Sequence, residues 1–350
     1  MAGPRDRRAA TPPVPDPRTM TDATLDVLAV GNAIVDIIAR AEDDFLVSNG
    51  IAKGAMNLID AERAETLYAA MGAAVETSGG SAANTAVGVA SLGGTAAYWG
   101  KVARDHLGTV FTHDIRAVGV AFETDPLAGP PPTARSMILV TPDGERSMNT
   151  YLGACVELGP EDVDADTVRA AQVTYFEGYL WDPPRAKQAF RDAAAIAHEA
   201  GRQVALTLSD AFCVDRYRDE FLALMADGTV DILFANEAEA KSLYQTADLA
   251  SAVDALREAV PLATVTLGER GALAITRERT VEVDAVVPSR LEDTTGAGDL
   301  YAAGFLFALA RGRDLADCAR LGCLCASHVI EQIGPRPQRS LADLMAQSGL

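Results

Sequence analysis

The amino-acid sequence predicts an α/β protein of three layers, in which helices cover both faces of a mostly parallel central sheet. The main observation is an alternation of two patterns. Nearly continuous apolar runs, typical of strands buried on both faces, occupy residues 25–38, 172–180, 203–209, 230–235 and 263–268. Helical patterns lie between them, at residues 61–74, 82–92, 105–118, 185–200, 236–246 and 248–259. The second observation is size, because 350 residues, 49% of them hydrophobic, suffice for one large α/β domain or for two domains.

The first 24 residues differ in composition from everything that follows. They combine five prolines with four arginines and contain no continuous apolar stretch, so they do not resemble a secretory signal. We expect residues 1–24 to form a disordered Pro/Arg-rich tail, and we place the folded domain at residues 25–350.

Two stretches interrupt the alternation of strands and helices, at about residues 37–78 and 120–153. Within the second stretch, the runs RSMILV and ERSMNTY flank the turn sequence TPDG (141–144), which is typical of a β-hairpin. Together the two stretches predict a small β lid, built from separated segments and folded over the ligand edge of the sheet. The alternative is that the hairpin merely extends the main sheet.

The overall charge limits the classes of partner. The chain has 30 Lys and Arg against 49 Asp and Glu, a formal net charge of −19. Such an acidic surface repels phosphate backbones, so we expect neither nucleic acid nor an anionic membrane as a partner. The longest apolar runs, such as 301–310, are too short and too interrupted by glycine to span a bilayer. A polyanionic substrate would need local positive charge or oriented backbone N–H groups.

The cysteines and histidines do not form a metal-binding pattern. The five cysteines contain no CxxC pair, and the four histidines are scattered, which does not favour a zinc site. We interpret the cysteines as small buried hydrophobic residues in a reducing compartment, and we expect a cytoplasmic location.

The two common nucleotide-binding loops are absent from the sequence. A GxxxxGK[ST] loop ending at Gly100-Lys101 would need glycine at Thr95 and a hydroxyl residue at Val102. A GxGxxG loop starting at Gly296 would need glycine or alanine at Tyr301. The chain is therefore neither a P-loop protein nor a typical dinucleotide-binding protein.

Two other glycine clusters are candidates for ligand binding. The first, SGGSAANTAVGVASLGG (78–94), opens a helix of very small residues. Gly79 and Gly80 allow the backbone to approach a ligand closely, and Asn84 offers an amide one turn later. The alternative is a glycine-rich turn that leads into a tightly packed alanine helix.

The second cluster, LEDTTGAGDLYAAGFLFALARG (291–312), precedes a strongly apolar helix. The successive N–H groups of Gly296, Ala297, Gly298 and Asp299 at the start of this helix would form a nest for an anion. Asp299, an unpaired carboxylate in the first turn, suits a base that takes a proton from an attacking hydroxyl, with its ionised form favoured by the helix dipole. Alternatively Asp299 only stabilises the helix start, by roughly 0.3–1 kcal/mol.

These two clusters, in this order and about 200 residues apart, resemble the two signatures of the ribokinase-like (PfkB) carbohydrate and nucleoside kinase family. The resemblance runs from about residue 26 to residue 341. Three further segments support it. They are Gly31-Asn32-Ala-Ile-Val-Asp36 at the first strand, Asn236-Glu-Ala-Glu239 as an N-x-x-E motif, and Thr266-Leu-Gly268 followed by Gly271.

Within the family, the sequence is most similar to the adenosine kinase branch. The segments that carry this likeness are LTLSDAFCV (206–214), VDILFANEAEAKSL (230–243) and GERSMNTYLGA (144–154). Ribokinases usually carry lysine at the position of Ser81. The chain departs from many adenosine kinases at Ala33, Thr295 and Asp210, and these departures bear on the identity of the acceptor.

The resemblance implies the roles of the acceptor and phosphoryl-transfer residues. The residues that would grip the ribose of the acceptor are Asp36, Asn32, Gly79, Gly80 and Asn84. The residues that would carry phosphoryl transfer are Asp299 as general base, Gly296, Ala297 and Gly298 as anion hole, and Arg146 closing with the lid. The alternatives are an exposed strand-end carboxylate for Asp36 and a surface side chain beside Glu145 for Arg146.

The resemblance also implies ATP and Mg²⁺ as cofactors. Asn236 and Glu239, on one helix face, would hold Mg²⁺ through water, while Thr266 and Gly268 would line the ATP site. A monovalent cation, K⁺, is a further expectation of the family near Asp293 and Thr295. The expected partners are small molecules alone, and the protein is expected to be a monomer or a homodimer.

Three functions stay open at this point. The first is phosphorylation of adenosine to AMP, the second is phosphorylation of ribose, fructose or a related sugar, and the third is nucleoside binding without catalysis. An intact Asp299 and glycine loop argue against the third. Aromatic residues at one strand end could stack on a purine or belong to the core: Tyr175, Phe176, Tyr179 and Trp181.

Overall fold

The computed structural model describes residues 23–350, so almost all of the predicted tail lies outside the described residues. Its strands are β1 (Leu25–Val30), β2 (Ile34–Arg40), β3 (Met56–Leu58), β4 (Ala74–Ser78), β5 (Ala96–Trp99), β6 (Ala134–Val140), β7 (Arg146–Tyr151), β8 (Ala171–Glu177), β9 (Gln203–Thr207), β10 (Ile232–Asn236), β11 (Leu262–Thr266), β12 (Ala272–Thr276) and β13 (Thr280–Val283). Its helices are α1 (Asp43–Ser48), α2 (Ala61–Ala70), α3 (Ser81–Ser91), α4 (His106–Ala117), α5 (Ala165–Ala170), α6 (Pro184–Glu199), α7 (Ala211–Ala226), α8 (Glu237–Leu243), α9 (Leu249–Ala259), α10 (Ala297–Ala310), α11 (Leu315–Val329) and α12 (Leu341–Ser348).

The main sheet has eight strands in the order β13-β12-β11-β10-β9-β8-β1-β5. The six strands from β11 to β5 are parallel, and β12 and β13 add an antiparallel edge. Helices α3, α4, α10 and α11 bury one face, and helices α5 to α9 bury the other. The predicted three-layer α/β/α fold with a mostly parallel sheet is confirmed. Within residues 23–350, no helix combines the length and apolar character needed to cross a membrane.

A second sheet of five strands has the order β3-β7-β6-β2-β4. Its strands come from residues 34–78 and 134–151, and the hairpin of β6 and β7 belongs to this sheet rather than to the main one. Helices α1 and α2 cover its outer face through a separate apolar cluster that includes Ile37, Leu46, Leu67, Met137 and Leu139. We call this unit the lid sheet; its inner face turns toward the carboxyl ends of the main strands.

The single strand predicted at residues 25–38 is wrong, because this run forms two strands in different sheets. The chain leaves the main sheet at Gly31, whose N–H donates to Trp99 and whose carbonyl accepts from the Tyr98 hydroxyl at 2.8 Å. A Cβ on Gly31 would lie 2.3 Å from the Glu177 carboxylate, so only glycine fits there. Hydrophobic periodicity does not register this change, because both strands are largely buried.

Helices α3 and α10 pack closely because small residues face each other. A Cβ on Gly88 of α3 would lie 2.5 Å from the Ala303 Cβ of α10, and one on Gly304 would meet the backbone of α11. Helix α10 is apolar all round, as expected of a helix buried on every side. This close approach brings the amino-terminal ends of α3 and α10, and hence both glycine clusters, to one place.

Candidate active site

The carboxylate of Asp299 is fixed by two side chains from the first turn of α3. The Ser81 hydroxyl donates to Oδ1 at 2.6 Å, and the Asn84 amide donates to Oδ2 at 2.9 Å. Burial raises the pKa of Asp299 to about 6, and these two hydrogen bonds oppose the rise. The expectation of an unpaired carboxylate was therefore wrong. A carboxyl group with this pKa is partly ionised at pH 6, and the value lies in the range suited to a general base near neutral pH.

The start of α10 offers backbone donors to an anion. Gly296 is left-handed, with a φ of 81°, and a Cβ there would lie 2.7 Å from the Pro335 Cβ. The N–H groups of the first three helical residues have no acceptor within the helix. That of Ala297 donates to the Thr294 carbonyl at 3.3 Å, so one of the four N–H groups predicted for the nest is already engaged within the loop.

Two cavities meet at this helix start. The first, of about 540 Å³, lies between the main sheet and the inner face of the lid sheet, and it includes Asn32, Asp36, Gly80, Asn84, Arg146 and Asp299 in its lining. The second, of about 810 Å³, is lined by Thr266, Gly268, Gly271, Ala297 and Gly298, among others. Thr294 lines both cavities. We call them the acceptor cavity and the nucleotide cavity.

Asp36 lies inside the acceptor cavity and is only 7% exposed, so the exposed alternative was wrong. Burial raises its pKa to about 7, and the positive charges of Arg336 and Arg146 oppose that rise. A Cβ on Gly79 would lie 2.3 Å from its Oδ2. Asn32 is beside it, with a buried Oδ1 that has no hydrogen-bond partner among the described residues. The Asp36 carboxylate and the Asn32 amide oxygen are therefore available to accept hydrogen bonds from hydroxyl groups.

Arg146 is partly buried, with its side chain 10% exposed, and it forms an ion pair with Asp293 at the start of the second glycine cluster. The alternative of a surface arginine beside Glu145 was wrong. Asp293 also accepts hydrogen bonds from the N–H groups of Thr295 at 2.9 Å and Gly334 at 2.8 Å. The Nη1 of Arg146 is buried with no partner among residues 23–350 and is free to meet an anion. The K⁺ site near Asp293 and Thr295 stays a prediction.

Asn236 and Glu239 form a reciprocal cap at the start of α8. The Asn236 side chain accepts from the Glu239 N–H at 2.8 Å, and the Glu239 carboxylate accepts from the Asn236 N–H at 2.9 Å. Asn236 is the N-cap residue and precedes the helix, so Asn236 and Glu239 do not lie on one helix face, contrary to the prediction from the sequence. Burial raises the pKa of Glu239 to about 7, and the neighbouring Asp210 adds to the rise. Their magnesium role stays a prediction, since no group of three or more potential metal ligands clusters within residues 23–350.

Sequence reasoning missed two charged residues, of which Glu177 is buried and Arg336 is partly buried. Glu177, at the end of β8, accepts hydrogen bonds from the N–H groups of Asn32 and Ala82, each at 2.8 Å, and so ties both glycine-rich segments together. Arg336, in the loop before α12, donates to the side-chain Oδ1 of Asn84 at 3.3 Å and to the Ser78 hydroxyl. Neither residue belongs to a motif. The one feature of the sequence that points to Glu177 is its position as a charged residue at the end of an apolar strand.

The four aromatic residues at the end of β8 divide between core and cavity. Tyr175, Phe176 and Trp181 are at most 1% exposed and pack in the two cores of the main sheet. Only Tyr179 lines the acceptor cavity, and its hydroxyl donates to Asp210 at 3.0 Å. Stacking on a base by three of the four is therefore excluded.

Comparison with known proteins gives consistent matches over the whole fold. A family model for pfkB family carbohydrate kinases matches residues 27–340. A solved structure described as a probable sugar kinase from Rhizobium etli is 62% identical, with a TM-score of 0.91, and covers 93% of this chain and 99% of its own. The adenosine kinase of Sinorhizobium meliloti is 65% identical, with a TM-score of 0.90, over 93% and 100% of the two chains. The adenosine kinase of Saccharomyces cerevisiae is 25% identical over 337 residues, which cover 89% of this chain and 96% of the yeast protein.

Proposed function

The chain belongs to the pfkB family of carbohydrate kinases and is an ATP-dependent phosphotransferase that acts on a hydroxyl group, and from this premise we propose that its acceptor is a ribonucleoside, foremost adenosine. The primary hydroxyl of the ribose would receive the γ-phosphoryl group, and the products would be AMP and ADP. The cytoplasmic location expected from the cysteines stays a prediction.

The observation that carries this proposal is the division of the acceptor cavity into a polar part and an apolar part. Asn32, Asp36 and Asp299 present polar groups to the cavity, which suit a ribose. On the inner face of the lid sheet, in the row of side chains next to that of Asp36, Met56, Ile138 and Met148 present apolar surface. Apolar surface of this kind suits the flat face of a base and gives little to a free sugar, because ligand sites pair an apolar wall with few polar groups that set the orientation.

Asp36 is the group best suited to select the sugar moiety. A carboxylate that accepts hydrogen bonds from two vicinal hydroxyls makes charge-assisted bonds, which are stronger than neutral ones. Burial raises the pKa of Asp36 to about 7, and the positive charges of Arg336 and Arg146 oppose this rise, so a substantial fraction of the carboxylate needed for these bonds is present at neutral pH. Removing one hydroxyl would leave a buried acceptor without its donor.

The transfer step requires little covalent chemistry from the protein. Asp299 would take the proton from the acceptor's primary hydroxyl as that oxygen attacks the γ-phosphorus, and the bond from phosphorus to the β–γ bridging oxygen would break, releasing ADP. The Gly298 and Asp299 N–H groups and Arg146 would stabilise the negative charge on the transferring group. A hydrogen-bonded Asp299 with a pKa of about 6 is mostly ionised at neutral pH and can accept a proton without further rearrangement.

The nucleotide cavity suits ATP in position and in character. It adjoins the acceptor cavity at Thr294, and its wall away from the helix start includes Val287, Leu291 and Ile330. The side-chain oxygens of Asn236 and Glu239 are the type of ligand that Mg²⁺ prefers. Because the two side chains are hydrogen-bonded to each other, they would hold Mg²⁺ through water molecules. Bound there, Mg²⁺ would neutralise charge on the ATP phosphates.

A sugar acceptor is the second candidate, since the 62% identical neighbour is described as a probable sugar kinase. The decisive measurement is ADP release with adenosine, 2′-deoxyadenosine, ribose and fructose at saturating MgATP. We expect adenosine to be used far better than either sugar, and 2′-deoxyadenosine to lose roughly ten- to a hundredfold in kcat/KM through its missing partner for Asp36. Faster turnover of a free sugar would reject the nucleoside acceptor and leave the kinase assignment intact.

The assignment of Asp299 has its own test. Asp299→Asn is expected to reduce kcat by about 10²–10⁴-fold while ATP binding persists. Asp317→Asn is the matched control, because Asp317 is also the third residue of its helix, α11, but lies far from both cavities and is paired with Arg320. A loss below threefold for Asp299→Asn, or an equal loss in the control, would show that Asp299 is not the base.

A further inference from the structure

The inner face of the lid sheet carries a row of polar side chains that begins at Asp36. Strand register pairs Asp36 of β2 with Ser136 of β6, and Ser136 with Thr150 of β7. Residues in register on neighbouring strands project to the same face, so the three side chains form one row. All three line the acceptor cavity. The adjacent row, formed by Ile138, Met148 and Met56, is apolar.

The two hydroxyls of this row bond each other and have no other side-chain partner. Their oxygens are 2.8 Å apart, and both residues are buried, with Ser136 4% and Thr150 7% exposed. Each hydroxyl has one proton, so the pair has two. One proton forms the hydrogen bond between the two oxygens, and the other can be donated to a different acceptor. Within residues 23–350, no side-chain or backbone acceptor takes that second proton. The pair therefore presents a free donor to the cavity.

Ser147, on the same strand β7, shows how a hydroxyl is used when its role is structural. Its side chain points to the opposite face, is fully buried, and accepts a hydrogen bond from the Gly54 N–H at 3.0 Å. The Ser136–Thr150 pair has no such backbone partner and faces the cavity instead. A buried polar group without a partner costs free energy unless a ligand or water meets it.

We infer that the Ser136–Thr150 hydroxyl pair is a specificity-determining element that donates a hydrogen bond to a ring nitrogen of the acceptor's base; this inference rests on the proposed nucleoside acceptor. Neighbouring strands are about 4.8 Å apart, so the row extends about 10 Å from Asp36 to Thr150. A nucleoside with its ribose hydroxyls at Asp36 extends its base along that row. A single sugar ring at Asp36 ends short of Thr150.

Either hydroxyl of the pair can donate the hydrogen bond that recognises the base. The shared proton can lie on either oxygen, so either hydroxyl can supply the free one. The remaining lone pairs accept hydrogen bonds from an exocyclic amino group. The apolar row of Ile138, Met148 and Met56 contributes packing without selecting among bases, so the discrimination between purines depends on the hydroxyl pair.

The test is a cycle that changes one atom of the substrate and one of the protein. The substrates are adenosine and its 1-deaza, 3-deaza and 7-deaza analogues, each of which replaces one ring nitrogen by carbon. The wild-type protein is expected to lose about tenfold in kcat/KM on one of the three analogues. Thr150→Val keeps the shape of the side chain and is expected to reduce kcat/KM for adenosine by about tenfold. For the discriminating analogue, its kcat/KM is expected to equal that of the wild-type protein. Ser136→Ala is expected to behave in the same way.

Two controls separate recognition from damage to the lid. Thr150→Ser retains the hydroxyl and is expected to keep the wild-type preference. Ser147→Ala removes a buried hydroxyl from the other face of the same strand and is expected to leave the preference among the analogues unchanged. The melting temperature of each variant shows whether the lid sheet still folds.

Two outcomes would overturn the inference, and they differ from failure of the proposed function. If wild-type protein phosphorylates adenosine and all three analogues equally, or if Thr150→Val keeps the wild-type preference, the hydroxyl pair does not read the base. If wild-type protein phosphorylates a free sugar and rejects adenosine, the nucleoside acceptor is rejected first, and the inference falls with it.

Discussion

Replacing Ser81 by alanine is expected to shift the pH dependence of the reaction rather than abolish it. The Ser81 hydroxyl donates to Oδ1 of Asp299 at 2.6 Å and so stabilises the ionised carboxylate. Burial already holds the pKa of Asp299 at about 6. Without the hydroxyl, one of the two opposing hydrogen bonds is lost, and the pKa of Asp299 rises further.

The size of the shift follows from the strength of the lost hydrogen bond. A hydrogen bond to a charged group contributes about 1.5–3 kcal/mol, and 1.36 kcal/mol corresponds to about one pKa unit, so the pKa of Asp299 is expected to rise by about 1–2 units. At pH 6, where half of the wild-type carboxylates are ionised, the ionised fraction would fall about 5- to 50-fold. At pH 9 the carboxylate is ionised in both proteins, and the rates should converge.

The assay is kcat/KM for adenosine at saturating MgATP between pH 5.5 and 9, with ADP release as the readout. Ser91→Ala, at the other end of α3, removes a hydroxyl that bonds the Leu341 N–H and is expected to keep the wild-type profile. A uniform loss at every pH, with an unchanged acid limb, would show that Ser81 does not tune the base and would refute the reasoning.

Three further substitutions test other parts of the site. Gly79→Ala places a Cβ 2.3 Å from the Asp36 carboxylate and is expected to raise the acceptor KM at least about tenfold without changing the ATP KM; Gly72→Ala, where a Cβ meets nothing within 4 Å, should leave both constants unchanged. Glu239→Gln is expected to raise the Mg²⁺ concentration for half-maximal rate by about tenfold, and a raised acceptor KM with unchanged Mg²⁺ dependence would contradict the magnesium role. Glu177→Gln places an amide NH₂ group against a backbone N–H, so that one hydrogen bond is lost. The free energy of unfolding, measured in urea, is expected to fall by about 1–3 kcal/mol. Unchanged stability would contradict the structural role of Glu177.

The fold was predictable because its main signal is local. Parallel strands buried on both faces appear as apolar runs, and amphipathic helices keep the 3.6-residue period, so β8 to β11 and helices α6, α8 and α9 could be assigned from the sequence. Helix α7 and strand β12 were missed. The division of residues 25–38 between two sheets was not predictable, because both strands are apolar and only the contact of Gly31 with Glu177 marks the change. Gly31 and Glu177 are far apart in the chain.

The site was predictable where the chemistry lies in a contiguous motif. The two glycine clusters, Asp36 and Asp299 meet around the acceptor cavity as the resemblance implied. Arg336 was missed because it lies 252 residues from Asn84, the side chain it orients, and belongs to no motif. The pairing of Arg146 with Asp293 was missed for the same reason, since the two residues are separated by 147 positions.

Two of the four connections between the main sheet and the lid sheet touch each other. One is residues 31–33 and the other is Gly79 and Gly80; the Gly79 N–H donates to the Ile34 carbonyl at 2.8 Å, and a Cβ on Gly80 would lie 2.3 Å from the Asn32 carbonyl oxygen. Any reorientation of the lid sheet therefore changes backbone angles at the same residues that lie beside Asp36. Acceptor affinity and lid orientation are then thermodynamically linked: a substitution that favours one orientation by a given factor changes the affinity, and a bound acceptor biases the orientation to the same extent. Substitutions in these two connections would therefore change lid orientation and acceptor affinity together.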